Sequence, residues 1–169
     1  MGLPRKLKRF NVYGDGESFL GQCVEVKLPV LKRLLEGYRG AGMTGEAKVD
    51  MGQDEIEIEH KYGGFMRPIF RQYAAPRHDA AMLRFVGAYQ REDEEGTQAV
   101  EVVIRGRHAE VDPGTAKQGD DTEFAVKTTC TYYKLIVDGA VVVELDIVNG
   151  IEIVEGVDRT AEARAIVGG

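Results

Sequence analysis

Residues Glu55-Ile56-Glu57-Ile58-Glu59 alternate carboxylates and branched apolar side chains with a period of two. Successive side chains of an extended strand point to opposite faces, so Ile56 and Ile58 belong to a packed face and the three glutamates to the other. Three carboxylates on one strand face repel one another, and that face must see water. The same alternation recurs at Val100, Val102 and Ile104, set against Glu101, Val103 and Arg105. It breaks at Val111-Asp112-Pro113-Gly114, a turn composition. Residues 123–137 and 141–147 read as two further strands joined by Asp138-Gly139, a hairpin signal, and 151–154 as a last one. Near the start, 11–13 lead through Gly14-Asp15-Gly16 into a strand expected over 18–26. The expected fold is mainly antiparallel β.

One stretch reads as a helix. Phe65, Ile69, Phe70 and Tyr73 share a face after Gly63-Gly64, and Pro68 falls in the first turn, where its missing N–H costs little. This stripe is expected to pack on the core as a helix capping an end or face of the sheet. Leu28, Leu31, Leu34, Leu35 and Tyr38 fit a helical stripe started by Pro29, yet residues 31–38 also alternate as a strand would, and local pattern leaves both open. Gly37, Gly40, Gly42 and Gly45 then mark a long excursion between regular segments, and loops of this length are usually either functional or disordered.

A chain of 169 residues, 43% apolar and 30% charged, suits one folded domain. No apolar run approaches the roughly 20 residues that cross a bilayer. The first residues are basic without an apolar stretch behind them, unlike a secretory signal, so folding in a cytoplasm is expected. In that compartment Cys23 and Cys130 read as two reduced thiols, with a disulfide between them as the alternative. A net charge of -6 opposes tight binding to nucleic-acid phosphates, and the basic cluster Arg5, Lys6, Lys8, Arg9 reads as a solvated arm.

Constellations that carry chemistry are missing. His60, His78 and His108 lie on different elements without metal-ligand spacing. Ser18 is the only serine and lies in no nucleophile motif. The glycines near residue 40 do not link a clear strand to a clear helix, as a phosphate loop does. The acidic runs at 92–95 and 120–121 lack calcium-loop spacing and read as solvated loop tips. No catalytic residue, cofactor or metal is expected.

Several segments, in order along the chain, resemble the major tail tube protein family of contractile-tailed bacteriophages and the related R-type bacteriocins. They are Leu3-Pro4-Arg5-Lys6-Leu7, then Asn11-Val12-Tyr13-Gly14-Asp15-Gly16, then Leu28-Pro29. The most specific is Glu36-Gly37-Tyr38-Arg39-Gly40-Ala41-Gly42-Met43 with Asp50-Met51-Gly52. Gly63-Gly64, Glu110-Val111-Asp112-Pro113-Gly114, Tyr132-Tyr133-Lys134-Leu135 and Asp138-Gly139 continue the match, which closes on Asp146, Asn149-Gly150, Gly156-Val157-Asp158-Arg159 and Arg164. Ala41 departs from the family, where three glycines in a row are common.

The resemblance implies a β-sandwich or barrel-like subunit with one flanking helix and a long extended hairpin, and residues 28–38 as a strand entering that hairpin. It implies hexameric rings stacked into a hollow tube in a virion tail, assembled in the bacterial host cytoplasm. The implied partners are further copies of the chain, a surrounding sheath protein, and baseplate and tail terminator proteins, with DNA passing through the lumen without tight binding and no membrane involved. Within a single domain spanning 1–169, residues 1–10 are expected as an N-terminal arm and 36–52 as an inter-ring loop. The inter-ring contacts are expected from Glu36, Tyr38, Arg39, Gly40, Gly42 and Met43, and Glu55, Glu57 and Glu59 are expected to face the lumen. A bacteriocin or type VI-like injection tube shares this architecture, whereas a ligand-binding β-barrel would be a monomer with an enclosed apolar pocket.

Overall fold

The period-two stretches become strands in the computed structural model, which describes residues 1–169. In chain order these are β1 (Lys6–Gly14), β2 (Glu17–Ser18), β3 (Cys23–Lys27), β4 (Arg33–Tyr38), β5 (Ala47–Gln53) and β6 (Ile56–Tyr62). Helix α1 (Arg67–Arg71) follows, then β7 (Ala81–Gln90), β8 (Thr97–Asp112), β9 (Phe124–Val137) and β10 (Ala140–Asp146). The chain ends with β11 (Ile151–Val154), β12 (Val157–Asp158) and helix α2 (Ala161–Val167). All strand pairs are antiparallel.

Strand β9 is the pivot of the sheet. One edge pairs with β8 along its length, from Val100↔Val137 to Asp112↔Ala125. The other edge is shared: residues 124–130 pair with β6, and residues 132–137 with β10. The sheet therefore forks into a β9-β6-β3 branch and a β9-β10-β11-β12 branch, while β8-β7-β1-β2 continues on the far side. Ile56 and Ile58 of β6 share one apolar cluster with Val12 of β1 and Phe85 of β7, strands to which β6 is not hydrogen-bonded. The sheet has thus folded over its own apolar face, giving a sandwich-like body rather than a closed barrel. Burying each such side chain stabilises the fold by roughly 1.5–3 kcal/mol.

The glutamate alternation is realised as expected, with Ile56 and Ile58 buried and Glu57 and Glu59 on the opposite face. The Asp138-Gly139 turn joins β9 to β10, and both residues adopt the positive φ that a tight hairpin turn demands (49° and 80°). Three expectations change. The strand expected over 18–26 is interrupted after Ser18, because Phe19 drops into the core against Tyr62 with ring centroids 5.6 Å apart. The helical stripe shrinks to five residues, of which only Ile69 is buried. Phe65 precedes the helix and, with Phe70, covers Phe124 edge-on at 5.9 and 5.5 Å, so these rings form a partly exposed lid. Finally, the ambiguous stretch is a strand only from Arg33; residues 28–32, including Pro29, form a link outside any strand, tied at its end by the Asp54 N–H donating to the Lys32 carbonyl at 3.0 Å.

Candidate functional site

Strands β4 and β5 pair only with each other, as a two-stranded ribbon apart from the ten-stranded sheet. The ribbon is nested: β3 and β6, which flank it in sequence, pair with each other in the body. It therefore leaves the sheet as a continuation of the β3–β6 pair. Its register places Glu36 opposite Val49 and Tyr38 opposite Ala47. Cross-strand partners share a face, so Leu34, Glu36, Tyr38, Ala47, Val49 and Met51 lie together, while Leu35, Lys48 and Asp50 lie behind them. That first face is apolar but for one carboxylate, and it is open to solvent: Leu34 is 46% exposed, Tyr38 60%, Val49 44% and Met51 58%.

The tip is closed by a turn in which the Met43 N–H donates to the Gly40 carbonyl at 3.2 Å. Gly42 supplies the positive φ of 84° that the third residue of this turn takes. Ala41 occupies the second position, which has no positive φ, and this explains why an alanine stands there without strain. Glu36, Tyr38, Arg39, Gly40, Gly42 and Met43 are thus gathered on the outer half of one ribbon.

At the base, Arg33 fastens the ribbon to the body. Its Nε donates to Asp50 Oδ2 and its Nη1 to Glu152 Oε1 of β11, both at 2.9 Å. The guanidinium, with help from the Gly52 N–H, holds the Asp50 carboxyl below the usual carboxylate range. Nothing in the sequence pattern singles out Arg33, because its partners are 17 and 119 residues away.

Glu55, Glu57 and Glu59 continue directly from the ribbon and line an open cleft with Lys27, Lys32 and Asp54. Four carboxylates there face two ammonium groups, so the cleft is acidic but not uniformly so. On the neighbouring strand Lys127 lies 3.7 Å from Glu59 and 3.9 Å from Glu110. The mutual repulsion expected of the three glutamates is thereby relieved by lysines on both flanking strands. The ladder and the ribbon face are distinct surfaces, joined through residues 54 and 55.

Of the expected N-terminal arm, residues 6–10 lie within β1. Its basic side chains meet the acidic run of the β7–β8 connection: Arg5 is 2.9 Å from Glu94, and Lys8 is bonded to Glu92. Such exposed pairs contribute little. His60 and His108 are buried residues of β6 and β8, and His78 lies in a loop with Nδ1 2.9 Å from Thr131 Oγ1. No helix is long and apolar enough to cross a membrane.

Comparisons with known proteins agree with this architecture. The body resembles two solved structures from an extracellular contractile injection system, one of its sheath/tube terminator (TM-score 0.57, covering 80% of this chain and 96% of that one) and one of its sheath-tube complex (TM-score 0.56, covering 80% and 91%). Identity is 11% in both, so this likeness is one of fold. In sequence, the chain is 49% identical to the tail tube protein of Escherichia phage P2 over 99% of both chains. It is 40% identical to the major tail tube protein of Serratia phage KSP20, over 88% of this chain and 86% of that protein. The sequence pattern of the phage tail tube protein FII family matches residues 4–168, and the chain belongs to that family.

Proposed function

We propose that this structural tail tube subunit assembles into hexameric rings that stack into the hollow conduit of a contractile tail, with the β4–β5 ribbon as the contact between rings. The observation that carries the reading is the open apolar face of that ribbon. A two-stranded hairpin is at best marginally stable in water, and monomeric proteins rarely leave contiguous apolar patches uncovered. A neighbouring copy that covers Leu34, Tyr38, Val49 and Met51 resolves both problems. Arg39 and Met43 at the tip are residue types enriched in interface cores.

The acidic cleft of Glu55, Glu57 and Glu59 is proposed to face the lumen, where its net negative charge keeps DNA phosphates from adhering during passage. The charge-paired N-terminal segment and the C-terminal helix are proposed to meet adjacent subunits or the sheath, and the ends of the tube its baseplate and terminator proteins. The role calls for no catalysis and no cofactor. Electron microscopy of the purified chain tests the assembly: rings and tubes are expected for the wild type. A Tyr38→Ala, Arg39→Ala variant is expected to give rings that fail to stack. Tubes of undiminished length from that variant would remove the ribbon from the inter-ring role.

A further inference from the structure

Six side chains from five parts of the fold form one continuous line through the core. Tyr62 Oη lies 2.7 Å from His60 Nδ1, and His60 Nε2 lies 3.0 Å from Thr128 Oγ1. Thr128 Oγ1 is also 2.8 Å from His108 Nδ1, and His108 Nε2 is 2.6 Å from Gln72 Oε1. Gln72, at the end of α1, donates through Nε2 to Asp15 in the β1–β2 turn. Asp15 is held in turn by β7, its other oxygen accepting the Met82 N–H at 3.3 Å. Tyr62, His60 and Thr128 are at most 1% exposed and His108 is 5% exposed.

The direction of every bond follows from the carboxylate end. Asp15 accepts, so Gln72 must turn its amide N–H₂ toward it and its carbonyl toward His108. That carbonyl requires a proton on His108 Nε2, which leaves Nδ1 of the neutral ring to accept from the Thr128 hydroxyl. With its one proton so committed, Thr128 Oγ1 accepts from His60 Nε2–H, and His60 Nδ1 accepts the Tyr62 hydroxyl. A proton added to His108 Nδ1 would put a donor against a donor and force the Thr128 hydroxyl to turn its proton away from its one acceptor, leaving a buried O–H without a partner. A proton added to His60 Nδ1 would do the same to Tyr62.

We infer that this line is a one-way hydrogen-bond relay which fixes both buried imidazoles as neutral Nε2–H tautomers and makes the subunit core an acid-sensitive lock. The groups facing the rings fit that role. His60 sees Tyr62 on its own strand, His108 from β8, Thr128 and Val126 from β9 and Val26 from β3, with Cys23 of β3 acting on Tyr62. His108 sees His60, Thr128, Gln72 from α1 and, through it, Asp15. Burial lowers His60 to about 3, with His108 adding to the effect, and lowers His108 to about 4, with Asp15 opposing. An unfolded histidine titrates near 6.5. Both rings thus stabilise the fold fully above about pH 6.5, and that contribution is lost as pH falls from there through 4 and 3. The inference rests on the core of the subunit and stands whether or not rings form.

The test is side-chain ¹⁵N spectroscopy of the histidines in the full chain at pH 7, combined with unfolding by denaturant between pH 6 and 5. Two neutral Nε2–H rings are expected, and the folding constant is expected to fall on the order of a hundredfold per pH unit, tenfold for each histidine. Thr128→Val keeps the shape but cuts the line, so His60 is expected to populate both tautomers. An Nδ1–H ring in the wild type, a folding constant flat across this range, or Thr128→Val spectra with His60 unchanged would each overturn the relay.

Discussion

Two hairpins of this chain have the same antiparallel architecture and opposite fates. The β9–β10 hairpin lies within the sheet and buries Tyr133 and Leu145 in the common core. The β4–β5 ribbon pairs with nothing but itself, and every residue of β4 is exposed. Both carry enough apolar residues to be packed on one side. Only the first finds its packing partner within its own chain. The difference teaches that apolar content alone does not separate a core strand from a contact strand; what separates them is whether the fold supplies a second layer.

The comparison predicts opposite consequences for similar substitutions. Leu145→Ala in the core hairpin should give the largest loss, about 2–5 kcal/mol of subunit stability from transfer and cavity terms, read by denaturant unfolding. Val49→Asp on the ribbon should leave the isolated subunit within about 0.5 kcal/mol of wild type, as an exposed site allows, while abolishing sedimentable tubes. If Val49→Asp instead unfolded the subunit, the ribbon would belong to the core and the contrast would fail. Arg33→Ala should have a small and local effect, below about 1 kcal/mol given its exposure, and should show itself as faster amide exchange along β5 with the body unchanged.

The same contrast governs what was legible in the sequence. Strands with one wet and one dry face announced themselves, as at residues 55–59 and 100–105, because their alternation is a direct image of the two environments. Strand β7 gave no such image. Leu83 and Phe85 pack inward, but Met82, Val86 and Ala88 on its other face are apolar as well, so the period is blurred. Helix α2 was silent for the opposite reason: it buries no residue and is held by the Arg164–Asp158 pair at 2.7 Å rather than by a stripe. The ribbon itself was ambiguous because Leu31, Leu34, Leu35 and Tyr38 fit helical spacing, and only pairing with β5 decides for a strand. The buried relay left no local trace, since its members are spread from residue 15 to residue 128 and meet only when three strands, a helix end and the β1–β2 turn come together.

The nesting of the ribbon between β3 and β6 has a bearing on how such a part can change its dimensions. Both of its ends enter the body side by side, so its length can be altered without shifting any other strand. Two residues added to each arm would carry the tip about 7 Å farther and leave the same side chains on the same face. One residue added to each arm would turn the outer part over and present Lys48 and Asp50 where the apolar face had been. The ribbon is in this sense a ruler graduated in pairs of residues, adjustable in reach but fixed in which side it shows.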